Sequence, residues 1–310
     1  MKSKPPLLGG QISDIDIRHL RIFKAVVECG GFSAAEVQLN ISRSAISISM
    51  SDLEQRLGLR LCQRGRAGFS LTPEGKEVHA AVLQLLSSLE GFRTQVNAIH
   101  AQLKGEFNIG ITDNLVTMQH MRITDALAQL KQQGPEVQIN ISMLPPNEIE
   151  LGVLDGRLHI GVVPDLRTLA GLDYLPLYGE TSQLYCSHTH PLFQQSDNQR
   201  TVELKRQDAV VPAYAQTAAI KAQHLRLKAS ATATDREGIA FLIMTGCFIG
   251  FLPTHFAERW VAQGKMQALM TDEMGYVTHY SAITRRGAPP NLILQTYLDK
   301  LDLGEVGTKK

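Results

Sequence analysis

Eight apolar residues, Val78, Val82, Leu85, Leu89, Phe92, Val96, Ile99 and Leu103, follow one another at alternating intervals of four and three. An α-helix turns once every ~3.6 residues, so this series forms one narrow seam along a single long helix, the pattern of a coiled coil. A helix packed only against its own domain widens its stripe to a third position. Here the flanks are mostly Gln84, Ser87, Ser88, Glu90, Arg93 and Gln95, although Ala81 and Leu86 add breadth. The spacing predicts a dimerising linker helix over 76–104 that divides the chain in two.

The two sides differ in charge. Residues 1–104 hold 13 Lys and Arg against 9 Asp and Glu, the remainder 18 against 21, although the whole chain carries only +1. A basic module before the linker suits contact with phosphate, and a near-neutral module after it does not. A chain of 310 residues with 44% apolar content can bury more than one core.

Before the linker, Leu20, Phe23, Val26 and Val27 recur at helical spacing over Ile17–Cys29, and Gly30-Gly31 ends the pattern. Ser33-Ala34-Ala35-Glu36 reads as a capping box that opens a second helix. Ser42 is placed to cap a third, which runs to Leu57 with Gly58 in the left-handed terminal position. Two helices joined by a tight turn make a helix-turn-helix.

The third helix has two faces: Ile46, Met50, Leu53 and Leu57 form an apolar stripe, and Arg43, Ser44, Ser47, Ile48 and Ser51 fall opposite. Short hydroxyls let a backbone approach the floor of the major groove. Arg43 can reach a guanine edge or a phosphate, and Ile48 a thymine methyl. Leu59–Thr72 then reads as two short strands around a basic, Gly-rich tip, a wing whose Arg64 and Arg66 suit phosphate or the minor groove. Ser33 and Ser42, at the two helix starts, complete the expected DNA-contacting set.

These residues resemble the LysR-type family of transcriptional regulators. The resemblance is carried, in order and spacing, by Leu20-Arg-Ile-Phe23, Gly31-Phe-Ser-Ala-Ala35, Ser42-Arg-Ser-Ala-Ile-Ser47, Leu53-Glu-Gln-Arg-Leu-Gly58, Leu61-Cys-Gln-Arg64 and Leu71-Thr-Pro-Glu-Gly75. Two positions depart from the family pattern: Ile48 stands where a polar or basic residue is common, and Cys62 where the wing usually has Phe.

Beyond Gly105, strands alternate with helices. Strands are predicted at Phe107–Ile111, Val137–Met143 and Leu158–Val163, with helices at Leu115–Gln133 and Ile149–Leu154. A second lobe starts near Glu180, with strands at Gln183–His188, Asp208–Val211 and Phe248–Pro253 and helices at Ile220–Arg226 and Glu237–Thr245. Repeated β-α-β units imply an α/β fold with a largely parallel sheet and ligands at the carboxyl ends of strands. Gly156–Val163, His190-Pro-Leu192 and Gly246–Pro253 resemble the family's effector domain, which is like the two-lobed periplasmic binding proteins. The expected layout is a loose extension 1–16, a winged helix-turn-helix 17–75, the linker 76–104 and an effector domain 105–303. Lobe I would take 105–179 and 273–303, and lobe II 180–272.

The resemblance implies an effector cleft lined by Thr112, Asp113, Asn114, Pro145, Pro146, Asn147 and Pro164, faced by Ala213, Tyr214 and Gln216. Free N–H groups at helix starts favour a carboxylate, and the Tyr214 ring an aromatic or amphipathic effector. Asp113 opposes the first inference, acting either as an N-cap or as a selector for a donor-bearing ligand. The expected partners are promoter DNA, a small organic effector and further copies of the chain, as a dimer and then a tetramer.

Other classes are disfavoured. There is no G-x-S-x-G, Walker loop or G-x-G-x-x-G, so neither enzyme nor cofactor is expected. Cys29, Cys62, Cys186 and Cys247 form no C-x-x-C pair and read as buried apolar residues, with a Cys186–Cys247 redox pair as the alternative. His188-Thr-His190 lacks a third metal ligand and reads as a loop. With neither a secretory apolar run nor a membrane span, a cytoplasmic protein is expected. That and the winged helix disfavour a solute-binding transport protein. A ligand-independent DNA-binding protein whose second half only oligomerises remains the alternative.

Overall fold

The computed structural model describes residues 11–65, 68–99, 103–112, 115–118, 122–195 and 204–302. Arg66, Asp113 and Asn114 lie outside these, and so do the side chains of Arg64 and Ile99. The chain divides into two compact units, Met1–Arg93 and Thr94–Lys310.

In the first unit, α1 (Asp14–Glu28) starts before Ile17 because Ser13 caps it. Asp16 N donates to Ser13 Oγ at 3.4 Å, and Ser13 N donates to Asp16 Oδ2 at 2.8 Å. The Ser13 N–H and the Ser13 hydroxyl, which donates to Asp16 Oδ2 at 2.8 Å, and then Arg56, hold the Asp16 carboxyl below its ordinary pKa. The box expected at Ser33 and Glu36 does not form. Gly31 is the N-cap of α2 (Phe32–Leu39), and no side chain caps it. Burial of Phe32 in the helical core sets that start, leaving Ser33 as an exposed helical residue. Glu36 Oε1 instead accepts from Arg43 N at 3.2 Å, joining α2 to α3 (Arg43–Leu57). Ser42 caps α3 by accepting from Ala45 N at 3.3 Å, and Gly58 ends it at φ 65°. Ile46, Met50 and Leu53 are buried against Phe23, Val26 and Leu61.

The wing is an antiparallel pair, β1 (Cys62–Gly65) and β2 (Gly68–Leu71). Its start is fixed by Glu54 of α3, whose Oε1 accepts from Leu61 N at 2.7 Å and Cys62 N at 3.2 Å. The Cys62 side chain is buried in the core.

The next helix, α4 (Pro73–Ile99), corrects the reading of its seam. Val82 is buried in the core of the first unit, with Val78 and Leu85 packed against it, so this part of the stripe is covered within its own domain. Leu86 widens the stripe there, as such packing requires. Only further along does the seam open: Leu89 is half-buried, and Phe92 and Val96 are 65% and 39% exposed. Leu103 packs on the second unit's core.

The second unit is built on one nine-stranded sheet among the described residues. Its first part is parallel: β4 (Glu136–Met143), β3 (Lys104–Ile111) and β5 (Ile160–Pro164). Next to β5 runs β11 (Gly275–Arg285), antiparallel to β6 (Leu172–Ser187). β6 also pairs with β9 (Ile249–Pro253) and β10 (Met266–Leu269), and the far edge is β7 (Asp208–Pro212) with β8 (Lys228–Ala233). The strand expected to begin at Gln183 is thus the end of a sixteen-residue strand that runs through both lobes. Pro176 and Gly179 within it masked its continuity, because both residues usually punctuate strands. Pro176 sits where the register with β11 shifts, between Tyr280 and Ser281.

The α-helices among the described residues of this unit are α5 (Arg122–Gln133), α6 (Pro146–Leu154), α7 (Ala218–His224), α8 (Arg236–Met244), α9 (Thr254–Val261) and α10 (Leu292–Asp302). The single helix expected over Leu115–Gln133 is a 3₁₀ turn, Leu115–Thr117, separate from α5. Two adjacent β-branched residues, Val116 and Thr117, weaken helix continuation. The Thr117 hydroxyl is also bound by a distant residue, His255, at 2.6 Å. The first lobe's core packs Phe107, Ile109 and Leu130 on Tyr297 of α10, and the second lobe's cores centre on Leu184 and Phe251 and on Ile239 and Leu252.

All four cysteines are free, and the expectation of burial holds for Cys62 and Cys186 only. Cys247 is exposed because it lies in the turn after α8, where its N–H donates to Thr245 Oγ1 at 3.2 Å; Cys29 is half-buried beside Gln38. His188 and His190 lie in the turn after β6, and His190 Nδ1 accepts from Leu192 N at 3.1 Å. No helix among the described residues is long and apolar enough to cross a membrane.

Candidate functional site

The first unit offers a groove-sized face. Ser42, Arg43, Ser44, Ile48 and Ser51 of the third helix are exposed, and Ser47 is half-buried. Ile48 is 63% exposed on a helix whose opposite side is fully buried. An aliphatic side chain held there by a rigid helix has apolar surface to offer a partner. Ser42 Oγ and Ser44 Oγ lie 2.9 Å apart, so part of this hydroxyl surface is internally paired. The wing strands bring the backbone of Arg64 to the same unit's edge, opposite Phe69.

The second unit holds a cavity of about 320 Å³ at the strand ends. Six of the ten expected effector residues line it: Thr112, Pro145, Pro146, Pro164, Tyr214 and Gln216. Two of the others, Ala213 and Asn147, are exposed and stand outside the lining. Ala213 N donates to Ala233 O at 2.8 Å, prolonging the β7–β8 pairing, and its neighbour Ala215 takes the expected place. Asn147 is an exposed residue in the first turn of α6.

The floor was not expected from the sequence. Glu180 of β6 is 1% exposed, and its Oε2 accepts from Arg236 Nη2 at 2.7 Å and from the Tyr280 hydroxyl at 3.2 Å. Arg236 also bonds the Tyr280 oxygen. Burial pushes the Tyr280 phenol well up from its ordinary pKa, so it remains a hydroxyl donor. A buried ion pair of this kind is costly to desolvate, and each charge needs the other in place. Above it, Thr112 Oγ1 is buried with no hydrogen-bond partner among the described residues. A buried hydroxyl without a partner at a cavity wall is a place for a ligand's polar atom.

Met143, Leu144, Leu166, Ile220, Phe251 and the Tyr276 ring supply apolar wall, and Ser182, Thr234, Asp235 and Thr278 further polar groups. Behind Phe251 and Tyr276 sits His224, whose pKa burial lowers to about 4, keeping it neutral. Arg236 could have been found from the sequence. It follows the Asp235 cap at the end of β8, where the strand-end rule points as surely as it does at Thr112.

A winged helix-turn-helix carried with a two-lobed α/β domain that encloses a cavity defines a DNA-binding transcriptional regulator controlled by a small-molecule effector, and not an enzyme. The comparisons agree. A model of the bacterial regulatory helix-turn-helix protein, lysR family, matches residues 17–76, and one of the LysR substrate binding domain matches 100–302. The HTH-type transcriptional activator BauR of Pseudomonas aeruginosa is 58% identical over 299 residues, 96% of this chain and 98% of that protein. The regulator CrgA of Neisseria meningitidis is 26% identical over 91% of this chain and 94% of its own. Among solved structures, the LysR family regulator CbnR matches with a TM-score of 0.67 at 18% identity, covering 93% of this chain and 98% of that one. CbnR complexed with its target DNA gives 0.66 at 17%, covering 93% and 99%. The chain belongs to the LysR family of transcriptional regulators.

Proposed function

We propose that this regulator is a cytoplasmic activator that binds promoter DNA as a dimer, assembles further to a tetramer, and responds to a small amphipathic effector in the second unit's cavity. The direction of control follows BauR, whose name describes an activator. The observation that carries the effector reading is the union of apolar walls with a buried Arg236 and a Thr112 hydroxyl that has no partner among the described residues, in one space. At about 320 Å³ it is near the lower bound of ordinary ligand sites, roughly 300 Å³. That suits a small carboxylate or a single-ring compound. Ser33, Ser42, Arg43, Ser44, Ser47, Ile48 and Ser51, with Arg64 and Arg66 of the wing, would meet the DNA. Phe92 and Val96, exposed on the opened seam, support a second copy along the linker.

Effector binding would shift a population between lobe arrangements, and so alter how subunits pack and present their recognition helices. The test is a thermal-shift screen of the full chain against small carboxylates and aromatic compounds. A stabilising compound should lose its effect in Thr112→Val. A screen in which nothing stabilises the chain would favour the ligand-independent alternative.

A further inference from the structure

The cavity floor continues past the cavity. Glu180 uses its second oxygen, Oε1, to bind His255 Nε2 of α9 at 2.9 Å, and His255 Nδ1 lies 2.6 Å from Thr117 Oγ1. A carboxylate only accepts, so Nε2 carries the hydrogen, and in the neutral ring Nδ1 accepts the Thr117 hydroxyl. The hydrogen-bonded chain therefore runs from Thr117 through His255 to Glu180, which also receives Arg236 and Tyr280. Its core is dry: the His255 and Glu180 side chains are 8% and 1% exposed.

The two ends of this chain face different spaces. Glu180, Arg236 and Tyr280 line the effector cavity, whereas Thr117 does not. Thr117 belongs to the 3₁₀ turn whose Leu115 and Val116, with Met118, wall a separate groove of about 240 Å³. Met143 borders both spaces. Tyr178, on the groove, packs at 5.7 Å between ring centroids on Tyr280, on the cavity floor.

We propose that His255 is a positioning residue for the effector response: it couples the Glu180–Arg236–Tyr280 floor of the cavity to the 3₁₀ turn beside the groove. This rests on the cavity being the effector site. A ligand group that draws Arg236 or Tyr280 away leaves the buried Glu180 carboxylate short of donors, which is costly in a dry interior. His255 must then follow Glu180. An imidazole has no internal torsion, so Nε2 cannot move without carrying Nδ1, and Thr117 is displaced in turn. Val116, 73% exposed on the same turn, makes that displacement visible at the surface.

Amide hydrogen exchange on the full chain, without any effector, tests the coupling at both ends. Tyr280→Phe removes one donor from Glu180, and Thr117→Val removes the hydroxyl while keeping the shape. Tyr280→Phe should speed exchange across residues 115–118 by about threefold or more, and Thr117→Val should do the same at Gly238 and Ile239 in the first turns of α8. Reciprocity of this kind is required of any thermodynamic coupling. Both cross-effects should vanish in His255→Ala and survive in His255→Gln, whose amide also offers one donor and one acceptor. A merely structural histidine would raise exchange generally when removed, yet leave each cross-effect in place. Should His255→Ala not fold, the double variant Thr117→Val/Tyr280→Phe decides: less than additive acceleration supports the relay, and full additivity overturns it. Substitutions that each act only at their own end also overturn it. Because no ligand is used, the relay can stand even where the thermal-shift screen finds no effector.

Discussion

Gly75→Ala should loosen the wing from the linker helix. Gly75 lies in the first turn of α4, and a Cβ built there falls 1.9 Å from the carbonyl oxygen of Leu61, against an ordinary contact of at least 3.4 Å. Both partners are backbone, so no side-chain rotation relieves the clash and the segments must part by about 1.5 Å. That movement strains four bonds: Thr72 N to Leu61 O at 3.0 Å, Thr72 Oγ1 to Arg60 O at 2.6 Å and to Leu61 O at 3.2 Å, and Gly75 N to Thr72 Oγ1 at 2.9 Å. A net hydrogen bond contributes about 1 kcal/mol, so losing two and disturbing the buried Leu61 costs roughly 3 kcal/mol. Alanine's better helix propensity returns up to about 1 kcal/mol, leaving a net loss of about 2 kcal/mol. Gly91 of the same helix is the control, because an added Cβ there meets nothing within 4 Å. Gly91→Ala should therefore stabilise by up to about 1 kcal/mol. Urea unfolding by circular dichroism reads the change, while fluorescence of Trp260, the chain's one tryptophan, follows the second unit and should stay unchanged. A midpoint for Gly75→Ala equal to the native one, or an equal loss in Gly91→Ala, would refute the clash.

Three further outcomes are expected. Arg43→Ala should weaken binding to a footprinted promoter by ~1–3 kcal/mol and relax its base preference. A changed salt slope with preference intact would make Arg43 a phosphate contact instead, and loss of Arg64 or Arg66 should lower that slope by about 1. Phe92→Glu should shift sedimentation of the free chain towards monomer, and an unchanged distribution would remove the opened seam from the dimer. His224, with its pKa lowered from 6.5 to about 4, is protonated more readily in the unfolded chain. Its contribution to stability is complete above pH 6.5 and is lost as pH falls towards 4, by roughly 3 kcal/mol. His224→Phe should flatten that stretch of the profile measured by Trp260 fluorescence, leaving the smaller slope from half-buried His159 and buried His190.

Local chemistry was legible where a short stretch of chain settles its own structure. Ser42 caps and Gly58 terminates α3 because both act within one turn, and the Ile46–Met50–Leu53 stripe follows from periodicity alone. The Leu53-Glu54 and Leu71-Thr72-Pro73-Glu74-Gly75 pieces that carry the family resemblance also have a physical cause in this chain. Glu54 receives the two amides that start the wing, and Gly75 leaves room for Leu61. What misled was competition between local signals. Ser33 and Glu36 have the spacing of a capping box, but burial of Phe32 fixed the helix start two residues earlier, with Gly31 as the N-cap. Along α4 an even heptad pattern concealed two environments, since Val82 meets its own domain and Phe92 does not.

The cavity rim was legible for the same reason and the floor was not. Thr112 and Pro145 stand just past the ends of β3 and β4 and Pro164 ends β5, positions that a β-α-β pattern reveals by itself. Glu180 and Ser182, like Tyr276, Thr278 and Tyr280, lie two residues apart along their strands, so each set shares one sheet face. That periodicity stands in the sequence, but neither strand has meaning as a floor until β6 lies against β11, with Glu180 opposite Thr278 and Ser182 opposite Tyr276. The pairing joins segments nearly a hundred residues apart, and the unbroken register of Gly275–Tyr280 against Tyr178–Gln183 decides which side chains reach Glu180. The polar floor is a property of strand register, whereas the rim is a property of strand ends.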